Sequence, residues 1–125
     1  MKNVTCIRAA VLSIALTYGA SVAMAQDPVK VDSKHYKVDF ENDQVRVLRI
    51  TYPPGEKSVM HDHPDAMAVF LTDHHVKFAY PDGKTEEVRA KAGETKWTKG
   101  GKHLPENVGA KKLELILVEL KTKTR

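Results

Sequence analysis

The sequence predicts an all-β domain, either a small barrel or a sandwich of short strands. Apolar and polar residues alternate in short runs, which is the pattern of half-buried strands. Turn signals rich in Pro, Gly and Asp separate these runs at spacings of roughly 8–12 residues. No stretch of ten residues shows the 3.6-residue period of an amphipathic helix. Together these observations favour strands throughout.

The predicted strands follow one another along the chain. The first alternates Val45, Val47 and Ile50 with arginines, slips near Leu48, and ends at the Pro-Pro-Gly turn of residues 53–55. A strong Pro-Asp-Gly-Lys turn is predicted at residues 81–84. The final strand is strongly apolar. The predicted strands cover residues 44–52, 56–63, 66–72, 75–80, 85–91, 95–98 and 113–120.

Residues 1–25 have the pattern of a Sec-type signal peptide. Lys2 and Arg8 precede an apolar segment at residues 9–18, and an Ala-Met-Ala cleavage site follows at residues 23–25. The apolar segment is too short to span a bilayer. We therefore expect a periplasmic or secreted protein that does not insert into the membrane once the signal is removed.

The predicted mature chain is a single small domain. We expect a polar N-terminal arm at residues 26–38, a barrel at residues 39–121 and a basic tail at residues 122–125. Cys6, the only cysteine, leaves with the signal, so the domain has no disulfide and needs its core, a metal or an oligomer for stability. Removing Lys2 and Arg8 leaves 18 basic and 16 acidic residues, interspersed, which argues against nucleic-acid binding.

Three histidines are the candidate site. His61 and His63 are two residues apart on a predicted strand, so their side chains point to the same face. His103, brought in by a neighbouring strand, would complete a pocket of three ring nitrogens. Such a pocket binds a divalent metal.

The residues around these histidines resemble the two motifs of the cupin superfamily. Gly55, His61 and His63 match the first motif, G-x5-H-x-H-x3–4-E-x6-G, and Gly100, His103 and Asn107 match the end of the second, G-x5-P-x-G-x2-H-x3-N. The resemblance covers most of residues 39–120. It implies a double-stranded β-helix, or jelly-roll barrel, and a homodimer, for which the strand at residues 113–120 and the N-terminal arm are the expected contacts.

The chain departs from these motifs at three positions. Met67 replaces the family's glutamate ligand, His74 replaces the last glycine of the first motif, and Thr98 replaces proline in the second. The ligand set is thereby reduced to His61, His63 and His103, which resembles cupins such as cysteine dioxygenases and a β-diketone-cleaving dioxygenase. Three neutral imidazoles leave the metal its full positive charge, which favours an anionic ligand. Iron, zinc, nickel, manganese and copper all remain candidates.

Other side chains are assigned by strand alternation. Asn107 is the candidate for a hydrogen bond to His103, with a turn residue as the alternative. Met67, Phe70 and Trp97 are candidate pocket residues; Met67 is more often core, but facing the metal it would favour Cu(I). His35, His74 and His75 are expected at the surface, with a second metal site at His74 and His75 as the alternative.

The functional prediction is a metal-binding barrel with a small-molecule ligand or substrate. The first hypothesis is a metalloenzyme with dioxygenase-like or Lewis-acid chemistry; the alternative is a non-catalytic barrel that binds a metal or small ligand. A third is a structural barrel with a vestigial site. The sequence identifies no catalytic acid or base near the histidines, so whether the protein is an enzyme stays open at this stage.

Overall fold

The computed structural model describes residues 26–122, which form two antiparallel sheets after one short helix, α1 (Pro28–Val31). The predicted signal peptide lies outside the described residues. Among the described residues, no helix is long and apolar enough to span a membrane. The strands are β1 (Tyr36–Glu41), β2 (Val45–Tyr52), β3 (His61–His63), β4 (Ala66–Phe70), β5 (His74–Ala79), β6 (Thr85–Ala90), β7 (Thr95–Thr98), β8 (Gly101–Asn107) and β9 (Leu113–Leu120).

The strand order confirms the predicted all-β jelly-roll architecture. The five-stranded sheet has the order β1-β2-β9-β4-β7, and the four-stranded sheet has the order β3-β8-β5-β6. Strands distant in sequence therefore lie side by side, as β2 and β9 do over eight residue pairs. This arrangement places β3 against β8 and so determines where the histidines meet.

The apolar core lies on the inner faces of the two sheets. Strand β9 buries every second residue through Leu113, Leu115 and Leu117, and these leucines pack with inward residues of β2 and β4. Burial of apolar surface supplies the main stabilisation of such a domain. The buried apolar cluster comprises Tyr36, Leu48, Ile50, Tyr52, Ala66, Ala68, Phe70, Val76, Ala90, Leu113, Leu115 and Leu117.

The N-terminal segment is folded, so the predicted loose arm at residues 26–38 is wrong. Asp27 caps α1 by accepting a hydrogen bond from the backbone N–H of Val29, and Pro28 is buried. Strand β1 begins at Tyr36, which is only 2% exposed. The polar composition hid this segment because only part of its few apolar residues, Pro28 and Tyr36 among them, are buried.

Two strand predictions also need correction. The predicted strand at residues 56–63 is a strand only at His61–His63, and residues before it contribute an isolated bridge from Lys57 to Glu106. Strand β8 was not predicted, because Gly100, Gly101 and Pro105 are typical of turns. The register irregularity lies in β1, between Val38 and Phe40, whereas β2 is regular at Leu48.

The outer face of the five-stranded sheet carries a row of apolar side chains, one from each strand. Register pairs Phe40 with Val47, Val47 with Val118, Val118 with Met67, and Met67 with Trp97. Phe40 and Trp97, at the two ends of the row, are 54% and 50% exposed. We call these five residues the outer apolar row; it is continuous across the whole sheet.

Candidate metal centre

The structure brings His61, His63 and His103 together. Strand pairing sets His61 opposite His103, and one ring nitrogen from each of the three histidines lies within 4.8 Å of the others. The ring centroids are 4.8 Å apart for His61 and His63, 4.9 Å for His61 and His103, and 5.2 Å for His63 and His103. Two of the rings are almost fully buried.

The donor set fits a divalent transition metal. His61 Nδ1 lies 2.8 Å from the Val59 carbonyl oxygen and therefore carries the proton, which leaves Nε2 unprotonated. His63 Nδ1 is likewise held by a carboxylate, so its Nε2 is free. Fixing one nitrogen of an imidazole sets the tautomer and orients the other nitrogen toward a metal.

The rings are in the form that binds metals. Burial lowers the pKa of His61 to about 4, with a further contribution from the neighbouring His63. Burial likewise lowers the pKa of His103 to about 3, and His63 and His61 add to the effect. Both rings are therefore neutral near pH 7, and neutral imidazole is the metal-ligating form.

A series of hydrogen-bonded charged side chains lies behind His63, and the sequence did not predict it. Glu119 Oε1 lies 2.7 Å from His63 Nδ1, Glu119 Oε2 accepts from Arg46 Nε at 2.7 Å, and Arg46 also binds Asp27. Burial acts to raise the pKa of Glu119, but the hydrogen bonds from His63 and Arg46 outweigh it and hold the pKa below its ordinary value. The alternation of inward and outward residues along β9 could have revealed it, because Glu119 occupies the next inward position after Leu113, Leu115 and Leu117.

Tyr36 supplies a hydroxyl group beside the histidines. Its oxygen lies 3.1 Å from His61 Nε2, and because that nitrogen is the unprotonated one, the tyrosine donates the hydrogen bond. Tyr52 in turn donates to Tyr36 at 2.7 Å. Burial raises the pKa of Tyr36 well above its usual value, so it remains a neutral phenol. Sequence reasoning missed Tyr36 because it assigned that residue to the arm.

His35 belongs to a buried polar cluster behind the site, and its predicted surface position is wrong. Its ring is 6% exposed, stacks on Tyr52 at 4.2 Å, and contacts Asp32 and Glu56 through its two nitrogens. Asp32 also accepts a 2.5 Å hydrogen bond from Ser58, whose oxygen is 3.3 Å from His61 Nδ1. The cluster thus ties the N-terminal segment to a candidate metal ligand.

A cavity of about 500 Å³ opens from the histidines into the barrel. Phe70 lines it, as do His63 and His103, whereas Met67 and Trp97 do not. Those two belong to the outer apolar row, because the residues of β4 that face inward are Ala66, Ala68 and Phe70. The predicted pocket positions of Met67 and Trp97 are therefore wrong, and a thioether ligand from Met67 is excluded.

Asn107 supports a turn and does not contact His103, so that prediction is also wrong. Its amide donates to the carbonyl oxygens of Tyr52 and Lys111 and accepts from the backbone N–H of Gly109. The side chain is 1% exposed. Four residues of extended strand separate Asn107 from His103, about 13 Å, so alternation placed it on the same face but out of reach.

The two histidines at the start of β5 have different environments. His75 is half-buried and lies 2.8 Å from Glu87, a surface position as predicted. His74 is only 7% exposed, so its predicted surface position is wrong. Burial, with help from Lys96 and His75, lowers the pKa of His74 to about 4.

We expect the metal-free protein to lose stability as pH falls below 6.5, in part through His74. A depressed folded-state pKa means that the unfolded chain binds the proton first, so stability declines between the unfolded pKa of 6.5 and the folded value of about 4. The ring contributes up to about 2 kcal/mol between pH 7.5 and pH 5. Urea unfolding at both pH values measures it, and His74→Phe should reduce the pH dependence.

Comparisons with known proteins identify the fold. The chain matches no protein-family model and none of the curated proteins. Among solved structures, a cupin domain from Bordetella pertussis Tohama I superimposes with a TM-score of 0.64 and 22% identity, covering 70% of this chain and 92% of that one. The fold is the cupin double-stranded β-helix.

Two further solved structures are similar to this chain. A conserved Klebsiella pneumoniae protein with a double-stranded β-helix domain has a TM-score of 0.57 and 19% identity, over 72% of this chain and 78% of that one. The polyketide cyclase RemF from Streptomyces resistomycificus has a TM-score of 0.51 and 18% identity, over 72% and 66% respectively. The cupin fold predicted from the two histidine motifs is thus confirmed.

Proposed function

We propose that this protein is an exported metalloenzyme that holds one divalent transition metal with His61, His63 and His103 and acts on a small organic molecule. The observation that carries the proposal is the cluster of three imidazoles, two of which, His63 and His103, line a cavity of about 500 Å³. That volume suits a small organic ligand. The metal, whether iron, zinc, nickel, manganese or copper, would supply Lewis-acid or redox chemistry.

Tyr36 supports catalysis over binding alone. Its neutral hydroxyl group donates to His61 Nε2 at 3.1 Å and is oriented by Tyr52. A metal on His61 Nε2 would take the lone pair that accepts this bond and would leave the hydroxyl hydrogen for a bound ligand. A ligand bound at the three histidines would therefore meet a fixed hydrogen-bond donor, and such preorganised donors stabilise charge that develops during a reaction. The sequence offered no group in this role.

A non-catalytic barrel that binds a metal or small ligand is the second candidate. The Glu119 carboxylate, which contacts His63, is hydrogen-bonded to both His63 and Arg46 and is not free to act as a general base. A binding barrel needs no such base. Retention of a bound small molecule without turnover, in protein whose metal site is full, would favour this candidate.

Metal analysis of protein purified without a histidine tag tests the proposed function. We expect one transition metal per chain, and stoichiometric iron would support oxygen chemistry. Protein that holds no metal after purification and takes up none of the five candidate ions in titration would contradict the proposal. Tyr36→Phe should then bind the metal normally but lower turnover of any substrate identified.

Export should remove residues 1–25. The proposal rests on the order of positive residues, apolar segment and Ala-Met-Ala site in the sequence. Intact-mass measurement of protein from the periplasm or medium should give a chain that begins at Gln26, with or without cyclisation. A full-length product confined to the cytoplasm would refute export.

We also expect a homodimer that buries the outer apolar row. Contiguous exposed apolar surface of this kind marks an interaction site more often than free surface. Light scattering at micromolar concentration should give twice the mass of one chain. Trp97→Glu should produce monomers, whereas Leu71→Glu, at another exposed apolar residue, should not. A monomeric parent protein would be evidence against the interface.

A further inference from the structure

The cavity also has a buried imidazole, His74, far from the three histidines. His74, Val76 and Phe78 lie on the inward face of β5 and all line the cavity. Phe78 stacks on His103 with ring centroids 4.8 Å apart. His74 is four residues farther along the strand, about 13 Å in an extended chain. One apolar wall therefore connects the candidate metal centre with His74.

His74 is an unsatisfied polar group in this wall. The side chain is 7% exposed, and among the residues that the structure describes its Nδ1 has no hydrogen-bond partner. Most buried polar atoms in proteins do have a partner, and an exception calls for a specific explanation such as a missing ligand. Phe70 packs against the ring at 4.8 Å and supplies only an apolar contact.

From this geometry we infer that His74 is a specificity-determining residue that binds the distal hydroxyl group of an elongated, mainly apolar ligand whose other end is anionic. A hydroxyl group both donates and accepts, so it suits either tautomer of a neutral imidazole. The inference rests on the proposed function for the anionic end, because three neutral imidazoles leave the metal its positive charge. Lys99 and Lys102 also line the cavity and favour an anion.

A matched pair of probes tests the assignment. 3-(4-Hydroxyphenyl)propanoate and 3-phenylpropanoate differ by the one hydroxyl group that His74 would bind. Calorimetry with zinc-loaded and with metal-free parent protein should give an affinity about tenfold higher for the hydroxylated probe, the size of one hydrogen bond in a buried site. Equal affinity for the two probes, or binding of neither, would overturn the inference.

Substitutions separate His74 from its surroundings. His74→Phe should abolish the tenfold preference and leave zinc affinity unchanged, whereas His74→Gln should keep part of the preference. His75→Phe is the matched control, since its ring contacts Glu87 and does not line this cavity. A preference that persists in His74→Phe would overturn the inference, and a loss of preference in His75→Phe would do the same.

An NMR measurement on the parent protein does not depend on the folding of any variant, and it distinguishes binding in this cavity from binding elsewhere. His74 also borders a second cleft, lined by Arg89 and Lys111 among others. Ring-nitrogen NMR shifts should move at both His74 and His103 when the hydroxylated probe is added, whereas a probe in the second cleft would move only His74 and refute the inference. If the protein binds no metal but the metal-free protein still prefers the hydroxylated probe, the proposed function is wrong and the assignment of His74 is supported.

Discussion

Replacing His103 with alanine should weaken binding of a divalent transition metal by well over 100-fold. Loss of a group that merely supports a ligating histidine typically costs 10–100-fold, and His103→Ala removes a ligand itself. Two imidazoles on β3 would remain, with the place of the third open to solvent or to the cavity. Zinc titration by calorimetry or against a chelator measures the loss directly.

A stability measurement and a matched variant accompany this experiment. Zinc at a hundredfold excess over its dissociation constant should stabilise the parent protein by about 2.7 kcal/mol and His103→Ala hardly at all. The variant His75→Ala should bind zinc as the parent does, because the His75 ring is hydrogen-bonded to the exposed Glu87 side chain and is not one of the three clustered histidines. If His103→Ala retained parental affinity, the three-histidine site and the proposed function would both be wrong.

Strands with a regular local pattern were predicted closely from the sequence. Strand β9 has the predicted bounds, Leu113–Leu120, because its alternation is strong and turns flank it. Strand β7 likewise matches at Thr95–Thr98. Strand β8 was missed because it begins at a Gly-Gly pair and contains Pro105, and its place in the sheet depends on partners in β3 and β5 that lie far away in the sequence.

The candidate site was predictable only in part, because alternation does not carry across a turn. His61 and His63 share a face of one strand, and the structure keeps them together. After the turn at residues 64–65 the inward series restarts at Ala66, so Met67 points outward. Counting from His63 gives the wrong face for this reason. A glutamate at position 67 would consequently not reach the metal.

Long-range partners were beyond the sequence reasoning. Tyr36 meets His61 across 25 residues, and Glu119 meets His63 across 56. Both contacts require the register of sheets whose strands come from opposite ends of the chain. Glu119 nonetheless had a local signal, a carboxylate at an inward position of a strand, which is costly unless a partner neutralises it. Such a residue indicates that a buried partner exists, but it does not identify which residue the partner is.

Replacing Glu119 with glutamine should weaken both metal binding and the fold. The amide keeps the shape of the side chain but loses the charge that holds the His63 tautomer and pairs with Arg46. We expect metal affinity to fall by about 10–100-fold, as for other partners of ligating histidines. Glu119 is 2% and Arg46 17% exposed, so the weakened ion pair should also cost about 1–3 kcal/mol of unfolding free energy, less than for a fully isolated charge because Asp27 still pairs with Arg46.

Glu114→Gln is the matched control, on the same strand but on its outer face. Glu114 pairs with Arg49, whose side chain is 43% exposed, and an ion pair this open contributes little to stability. Zinc titration and urea unfolding of both variants decide between the two positions. Equal losses in Glu119→Gln and Glu114→Gln would show that the inward carboxylate has no special role, whereas a loss of zinc affinity confined to Glu119→Gln would place the Arg46–Glu119 pair among the groups that prepare His63 for the metal.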